Sequence, residues 1–303
     1  MRFKRLDLNL LVALDHLLEL QSVSAAADRM HMSQSAMSNA LTRLRTYFDD
    51  PLLVQVGRRM MLTPRAEGMR EAIRDILVRV EATIETDPVF RPENSDRQFS
   101  ILLSDYSMQV LLPHLLALTH AQGSRVRFRL LPQTEQPFVM LERGEADLLI
   151  SPQQFCSPDH PSEELYRDRY VCLAWAEGAH AQGPLTAEGF QAAGHVVMVP
   201  PNNAHSVESD MLARLGVTRR DEVTTYAFSA LPELVVGTDR IATVHEHIAR
   251  KALKAFPLVM HDVPFRFDPL SQHMQWHEYR AHDTGIIWLR DALKQAVQRM
   301  QSH

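Results

Sequence analysis

Between Ser33 and Arg45 the chain reads SQSAMSNALTRLR. Met32, Ala36, Met37, Ala40, Leu41 and Leu44 recur at three- and four-residue steps, which marks one buried face of a helix. The opposite face carries Ser33, Gln34, Ser35, Ser38, Asn39, Thr42 and Arg43, with no acid before Asp49. Amides, hydroxyls and a guanidinium on one face can read base edges. Gln and Asn pair bidentately with adenine, Ser and Thr serve either base type, and Arg reads guanine or grips phosphate. A carboxylate on that face would be repelled by a duplex. The same composition also fits a polar helix in any three-helix bundle, so its meaning depends on the neighbouring elements.

Other residues invite a catalytic or metal reading and do not sustain it. There are fifteen histidines, with HEH at His245 to His247 and HEYRAH at His277 to His282. A zinc-binding helix needs His-Glu-x-x-His, which puts both imidazoles one turn apart on one face. Spacings of two and five put them on different faces. Cys156 and Cys172 are too few for a disulfide framework and lack metal-ligand spacing. No Gly-x-Ser-x-Gly elbow, phosphate loop or Gly-x-Gly-x-x-Gly occurs. No catalytic residue, metal ligand or cofactor is therefore assigned.

The elements around the polar helix give it a context. Leu10, Leu11, Leu14, Leu17 and Leu18 form an amphipathic stripe within a helix expected from Asp7 to Leu20. The basic, leucine-rich start resembles a signal peptide, but Asp7, Asn9, Asp15, His16 and Glu19 interrupt it at helical spacing. A short helix, Ser22 to Met30, follows. A break at His31 and Met32 then leads to the polar helix, with Ser33 as N-cap. Leu52 to Val56, a turn at Gly57 and Met60 to Leu62 read as a hairpin whose tip bears Arg58 and Arg59. The order is helix, helix–turn–helix, wing. In such an arrangement the second helix of the pair enters the major groove, and a basic wing tip reaches phosphate or the minor groove.

Thr63-Pro64 signals the start of a further helix running to about Thr86. Within it Met69, Ile73, Ile76 and Val80 step by four, three and four, the rhythm of a dimerising seam. Packing of that helix on its own domain is the alternative. From Arg97 onward strands and helices alternate, which predicts parallel α/β sheets with helical crossovers. A strand and a helix at the C-terminus close the pattern. The chain's net charge is −5, and eight basic against six acidic side chains lie within residues 1–62. A mildly basic end is thus joined to an acidic body. No apolar run reaches transmembrane length, and a reducing cytoplasm is the expected location.

The segment SVSAAADRMHMSQSAMSNALTRLRTYFDDPLLVQVGRRMMLTPRAEGM resembles the signature of LysR-type transcriptional regulators. The shared features are the alanines before the turn, Ser-Gln opening the recognition helix, Ser38, Leu41, Leu44, an arginine-bearing wing and Leu-Thr-Pro entering the linker helix. Ser35 stands where most relatives have proline. The opening residues and LRTYFDDPLLV further resemble a subgroup of nodulation regulators that answer flavonoids and of regulators of aromatic and chloroaromatic catabolism. The resemblance implies a winged helix-turn-helix DNA-binding domain at 1–62, a dimerising linker helix at 63–88 and an effector-binding α/β domain at 89–303. The last would have two lobes like a periplasmic binding protein, one about 97–167 with 269–303, the other about 168–268. DNA contacts carry over to Ser33, Gln34, Ser35, Ser38, Asn39, Thr42, Arg43 and Arg58, with Arg43 either a phosphate clamp or a bundle ion pair.

Ligands of open α/β sheets sit beyond the carboxyl ends of strands. That rule places Ser104, Asp105, Tyr106, Ser151, Pro152, Asn202, Asn203, His205, Phe228, Ser229 and His245 in the effector cleft. The helix starting near Ser206 would offer N–H groups to an anion. The function implied is an activator of an aromatic or chloroaromatic catabolic pathway, acting as a dimer or tetramer on a DNA operator and contacting RNA polymerase. Its inducer would be aromatic, with chlorinated phenols and hydroquinones among the candidates. The competing reading is a ligand-binding protein or enzyme whose N-terminal domain serves assembly alone.

Overall fold

Asp7 starts the first helix, its carboxylate accepting the Leu10 N–H at 2.9 Å. Helix α1 then spans Leu8–Leu20, α2 Val23–Arg29 and α3 Gln34–Phe48. Ser22 and Ser33 cap α2 and α3 in the same way, accepting from Ala25 and Ala36. His31 holds the turn between α2 and α3 at φ +53°, a left-handed conformation uncommon outside glycine. Leu14, Leu17, Leu18, Ala26, Met37 and Leu44 interlock into one core. Strands β1 (Leu53–Val56) and β2 (Arg59–Leu62) pair antiparallel as a hairpin, and α4 covers Pro64–Ile84. Arg74 of α4 forms an ion pair with the buried Asp15 of α1, fastening the long helix to the bundle. The computed structural model describes residues 6–57, 59–84, 89–133, 136–200 and 206–302, in two compact units, Met1–Thr86 and Asp87–His303.

The second unit holds two five-stranded sheets. One contains β3 (Gln98–Leu103), β4 (Arg127–Pro132), β5 (Leu148–Pro152), β6 (Ser162–Asp168) and β12 (Leu270–Gln275), in the order β4-β3-β5-β12-β6. The other contains β7 (Tyr170–Trp175), β8 (Gly194–Met198), β9 (Arg220–Thr225), β10 (Ile241–His245) and β11 (Leu258–Asp262), in the order β11-β7-β10-β8-β9. Arg169 alone separates β6 of one sheet from β7 of the other, and residues 263–269 lead back from β11 to β12.

The sheets are not purely parallel. β3 runs parallel to β4 and β5, and β8 parallel to β9 and β10. β7 runs antiparallel to β10 and β11, and β12 antiparallel to β5 and β6. Parallel pairing needs a crossover helix, and the strands beside the two lobe crossings lack one. Continuous helix expected from Tyr106 to Gly123 is divided at Leu111 into α5 (Asp105–Val110) and α6 (Leu112–Ala121). Pro113 cannot donate to Gln109, whose carbonyl instead accepts from Lys251 at 3.3 Å. The remaining helices are α7 (Pro137–Glu142), α8 (Ala187–Ala192), α9 (Val207–Arg214), α10 (Leu231–Val235), α11 (Glu246–Ala252) and α12 (Thr284–Gln301). Strands β6 and β11 and helix α11 were not anticipated from the sequence. Among the described residues no helix is long and apolar enough to cross a membrane.

Candidate functional site

Helix α3 buries Met37, Ala40, Leu41 and Leu44 and exposes Ser33, Gln34, Ser35, Ser38, Asn39, Thr42 and Arg43. The exposed set is not equally free. Ser33 Oγ accepts the Ala36 N–H and lies 3.0 Å from Ser35 Oγ. Thr42 donates to the Ser38 carbonyl at 3.0 Å. Arg43 forms an ion pair with Asp7 at 3.2 Å, with both side chains more than half exposed. Such a pair contributes little to stability and yields readily to a competing anion. Arg45 serves structure instead: it donates to the carbonyls of Pro51 and Leu53 at 2.8 and 2.9 Å, holding the hairpin against α3. Arg58 lies outside the described residues.

The four residues expected to form a seam on α4 are not equally exposed. Ile73 is buried in the bundle core and Met69 packs against that core. Ile76 is 44% exposed and Ile84 73% exposed, and with Arg79, Val80 and Thr83 they line a shallow groove. A helix that is itself one wall of the bundle must spend part of its apolar surface there, so the inward residues are lost to any outer seam.

A cavity of about 380 Å³ lies between the two sheets of the second unit. Ser104, Asp105, Tyr106, Ser151, Pro152, Phe228 and His245 all line it. Ser229 does not; its backbone N–H donates to Asp105 at 2.8 Å, joining the lobes beside the cavity. Asn202, Asn203 and His205 lie outside the described residues. The strand-end rule missed Phe155, Tyr170, Met198, Glu208, Leu270 and Gln272, which also line the wall. Tyr170 and Gln272 stand on strands next to the lobe crossings, and position beside a crossing was the signal available for them.

The wall is largely aromatic and apolar. The His245 ring lies 4.3 Å from Tyr106, 4.7 Å from Tyr170 and 5.3 Å from Phe228, centroid to centroid. Burial holds His245 down at a pKa of about 4, so it is neutral at physiological pH. Burial likewise raises the Tyr106 and Tyr170 phenols, keeping them protonated. Glu208 is pushed up by burial, against the pull of its partner Arg219. No Lys or Arg is among the described lining residues. The first turn of α9 does not suit an anion as expected: Ser206 Oγ takes the Ser209 N–H, and Glu208 puts a carboxylate there. Three polar atoms of the wall are buried without a hydrogen-bond partner: Ser151 Oγ, Gln272 Oε1 and His245 Nδ1.

The histidines of the two spacings meet different partners. His245 faces the cavity and His247 pairs with Asp168 at 2.9 Å, while His277 stacks on His160. Asp15, His16 and Glu19 bring ligand atoms within 4.8 Å, but Arg74 holds the Asp15 carboxylate. Burial raises the thiol of Cys156 to about 11 and that of Cys172 to about 12, which makes both poor nucleophiles.

Residues 8–67 match the family model described as bacterial regulatory helix-turn-helix protein, lysR family, and residues 93–298 match the LysR substrate binding domain. The chain belongs to the LysR family of transcriptional regulators. This LysR-type regulator is 38% identical over 307 residues to nodulation protein D 2 of Rhizobium leguminosarum bv. phaseoli, covering 100% of this chain and 95% of the relative. It is 37% identical over 302 residues to nodulation protein D 1 of Sinorhizobium fredii, covering 99% and 94%. A probable transcriptional regulator from Pseudomonas aeruginosa is 31% identical with a TM-score of 0.66, covering 96% of this chain and 97% of that one. Full-length OxyR from the same species shares the fold with a TM-score of 0.71 at 14% identity, covering 95% of each chain. The LysR-type regulator therefore combines a helix-turn-helix unit with an effector-binding unit, and the family is one of regulators rather than enzymes.

Proposed function

We propose that this regulator is an activator whose α3 reads an operator and whose interlobe cavity takes an uncharged aromatic inducer bearing O–H or N–H donors. The observation that carries the ligand reading is the trio of unpartnered buried atoms, Ser151 Oγ, Gln272 Oε1 and His245 Nδ1. Buried polar groups are nearly always paired in a finished structure. A wall that leaves three of them open is made for a ligand that supplies the partners. Gln272 Oε1 can only accept, so the ligand must donate to it. Glu208 and Asp105 on the same wall, without a lysine or arginine among the described lining residues, disfavour a carboxylate. Tyr106, Tyr170 and Phe228 supply ring faces. Chlorinated phenols and hydroquinones meet these demands, as do larger polyphenols.

On α3, Gln34, Ser38 and Asn39 are exposed, and Gln34 and Asn39 have the amides suited to adenine. Ser33, Ser35, Thr42, Arg43 and Arg58 would contact phosphates. The outer residues of α4, Ile76, Val80 and Ile84, would pair two copies, which would then place two α3 helices on half-sites of one operator and present the assembly to RNA polymerase. The names of the curated relatives support a nodulation-type regulator, and nothing in those names supports control of aromatic catabolism.

Titration of the full chain with dihydroxybiphenyl, dimethoxybiphenyl and biphenyl dicarboxylate tests the ligand reading, with thermal stabilisation as the readout. The dihydroxy compound should bind at least about tenfold tighter than the other two, because a site built around hydrogen bonds rejects analogues that cannot make them. Preference for the dicarboxylate would sink the uncharged-ligand reading. Ala227→Trp should fill the cavity and abolish binding; unchanged binding would place the compound elsewhere.

A further inference from the structure

A run of hydrogen bonds leaves the cavity wall and ends where the chain crosses between lobes. The Tyr106 ring lines the cavity, and its hydroxyl donates to Oδ2 of Asp168 at 2.6 Å. Asp168 is the last residue of β6, one residue before the strand that opens the other sheet. The same Oδ2 accepts the backbone N–H of His247 at 3.3 Å and lies 2.9 Å from His247 Nδ1. His247 is in the first turn of α11, on the far side of the crossing. The Asp168 side chain is 1% exposed. One buried oxygen thus gathers donors from α5 of one lobe and α11 of the other.

We propose that Asp168 is the positioning residue through which the lobe hinge reads the cavity. A ligand that shifts the Tyr106 ring moves a donor on the Asp168 carboxylate and so changes its grip on α11. The proposal rests on the reading of the cavity as the effector site. Two further ties make α5 the element that feels both lobes: Asp105 accepts from Ser229 N–H, and Gln109 O accepts from Lys251 Nζ. Stripping one partner from a buried charge is strongly unfavourable, so the three groups move together or not at all.

The relay carries a pH signature. The groups around the His247 imidazole are Asp168 and Tyr166 of β6, His245 just before α11, and Glu246 and Arg250 on α11 itself. The hydrogen bond to Asp168 raises the His247 pKa above its ordinary 6.5, against burial. A raised histidine contributes its tie fully below that ordinary value and loses it as pH climbs through the raised one.

Hydrogen exchange on the full, ligand-free chain tests the relay. Tyr106→Phe, which removes one oxygen, should speed exchange across residues 246–252 by about fivefold, and His247→Gln should do the same reciprocally across 105–110. The double variant should exceed neither single one, since both cut the same chain of contacts. In the native chain, exchange of α11 relative to its intrinsic rate should step up as pH climbs above the ordinary histidine value of 6.5 and through the raised one, and His247→Gln should flatten that step. Effects confined to each mutated helix, strict additivity, or a pH step that survives in His247→Gln would each overturn the relay. If Tyr106→Phe does not fold, the partly exposed His247→Gln still gives the reciprocal measurement. A failed relay leaves the effector reading standing, and failed biphenyl titrations leave the exchange prediction untouched.

Discussion

Arg97 and Asp283 form a bidentate ion pair, with both N–O distances at 2.7 Å, across 186 residues of sequence. Asp283 also caps α12, accepting the N–H groups of Gly285 and Ile286. Arg97 directly precedes β3, so the pair joins the first strand of the effector unit to its last helix. A Cβ on Gly285 would sit 2.5 Å from the Arg97 guanidinium, so a larger residue there would have to displace it from Asp283. Burial alone would raise the Asp283 carboxyl, but Arg97 and the two backbone donors hold it below its usual value.

Asp283→Ala should therefore cost about 2–3 kcal/mol by urea unfolding, since it removes two charge-assisted bonds and the α12 cap and leaves Arg97 the longer contact to Asp147 at 3.8 Å. Gly285→Ala should destabilise through the same pair and add little on top of Asp283→Ala. Because the Asp283 pKa is depressed, its contribution is present above the unfolded value of about 3.9 and fades as pH falls through the depressed one. The native chain should lose stability across that acid window more steeply than Asp283→Ala.

On DNA, Gln34→Ala or Asn39→Ala should weaken operator binding by about 1–3 kcal/mol, the worth of a bidentate base contact. Neither should alter thermal stability, since both side chains are exposed. Arg43→Ala should instead weaken all sequences alike and lower the salt slope by about one. Enrichment from random duplexes at two salt concentrations measures both effects. No loss on Gln34→Ala and Asn39→Ala together would remove α3 from the base-reading role.

Along α4, two neighbouring isoleucines should behave in opposite ways. Ile73→Ala should cost about 2–5 kcal/mol of folding stability, as a truncation in a packed core. Ile76→Glu should leave the fold intact and shift the oligomeric state downward in analytical ultracentrifugation. A dimer unaffected by Ile76→Glu and Ile84→Glu would mean that the outer face of α4 is not the seam.

In the cavity, Gln272→Met should not destabilise the ligand-free chain, because the atom removed there has no partner. Removing an unsatisfied buried acceptor recovers a cost of about 1–3 kcal/mol, so the melting temperature should hold or rise. The same variant should bind dihydroxybiphenyl at least about tenfold more weakly and treat dimethoxybiphenyl as before. A fall in ligand-free stability would show that Gln272 is a structural residue.

The gap between sequence and structure has particular causes. Gln272 was overlooked because the strand was expected to begin at His273, whereas it begins at Leu270. Glu208 was overlooked because a helix start was taken as an anion site without regard to the side chains in its first turn. Ser104, Asp105, Tyr106, Ser151, Pro152, Phe228 and His245 were found because strand ends and the turns after them are local features, marked by apolar runs that stop.

The sequence by itself determined the helix–turn–helix and wing, the capping serines, the polar face of α3 and the alternation that makes an α/β effector unit. Each depends on residues a few positions apart, and helical or strand periodicity records those directly. Only the tertiary structure decided which isoleucine of α4 turns inward, that Arg45 holds the wing, that Asp168 joins Tyr106 to His247, and that three polar atoms of the cavity stand unpaired. Those outcomes depend on side chains brought together from distant parts of the chain, and periodicity shows that a residue is apolar or polar without showing which neighbour it meets.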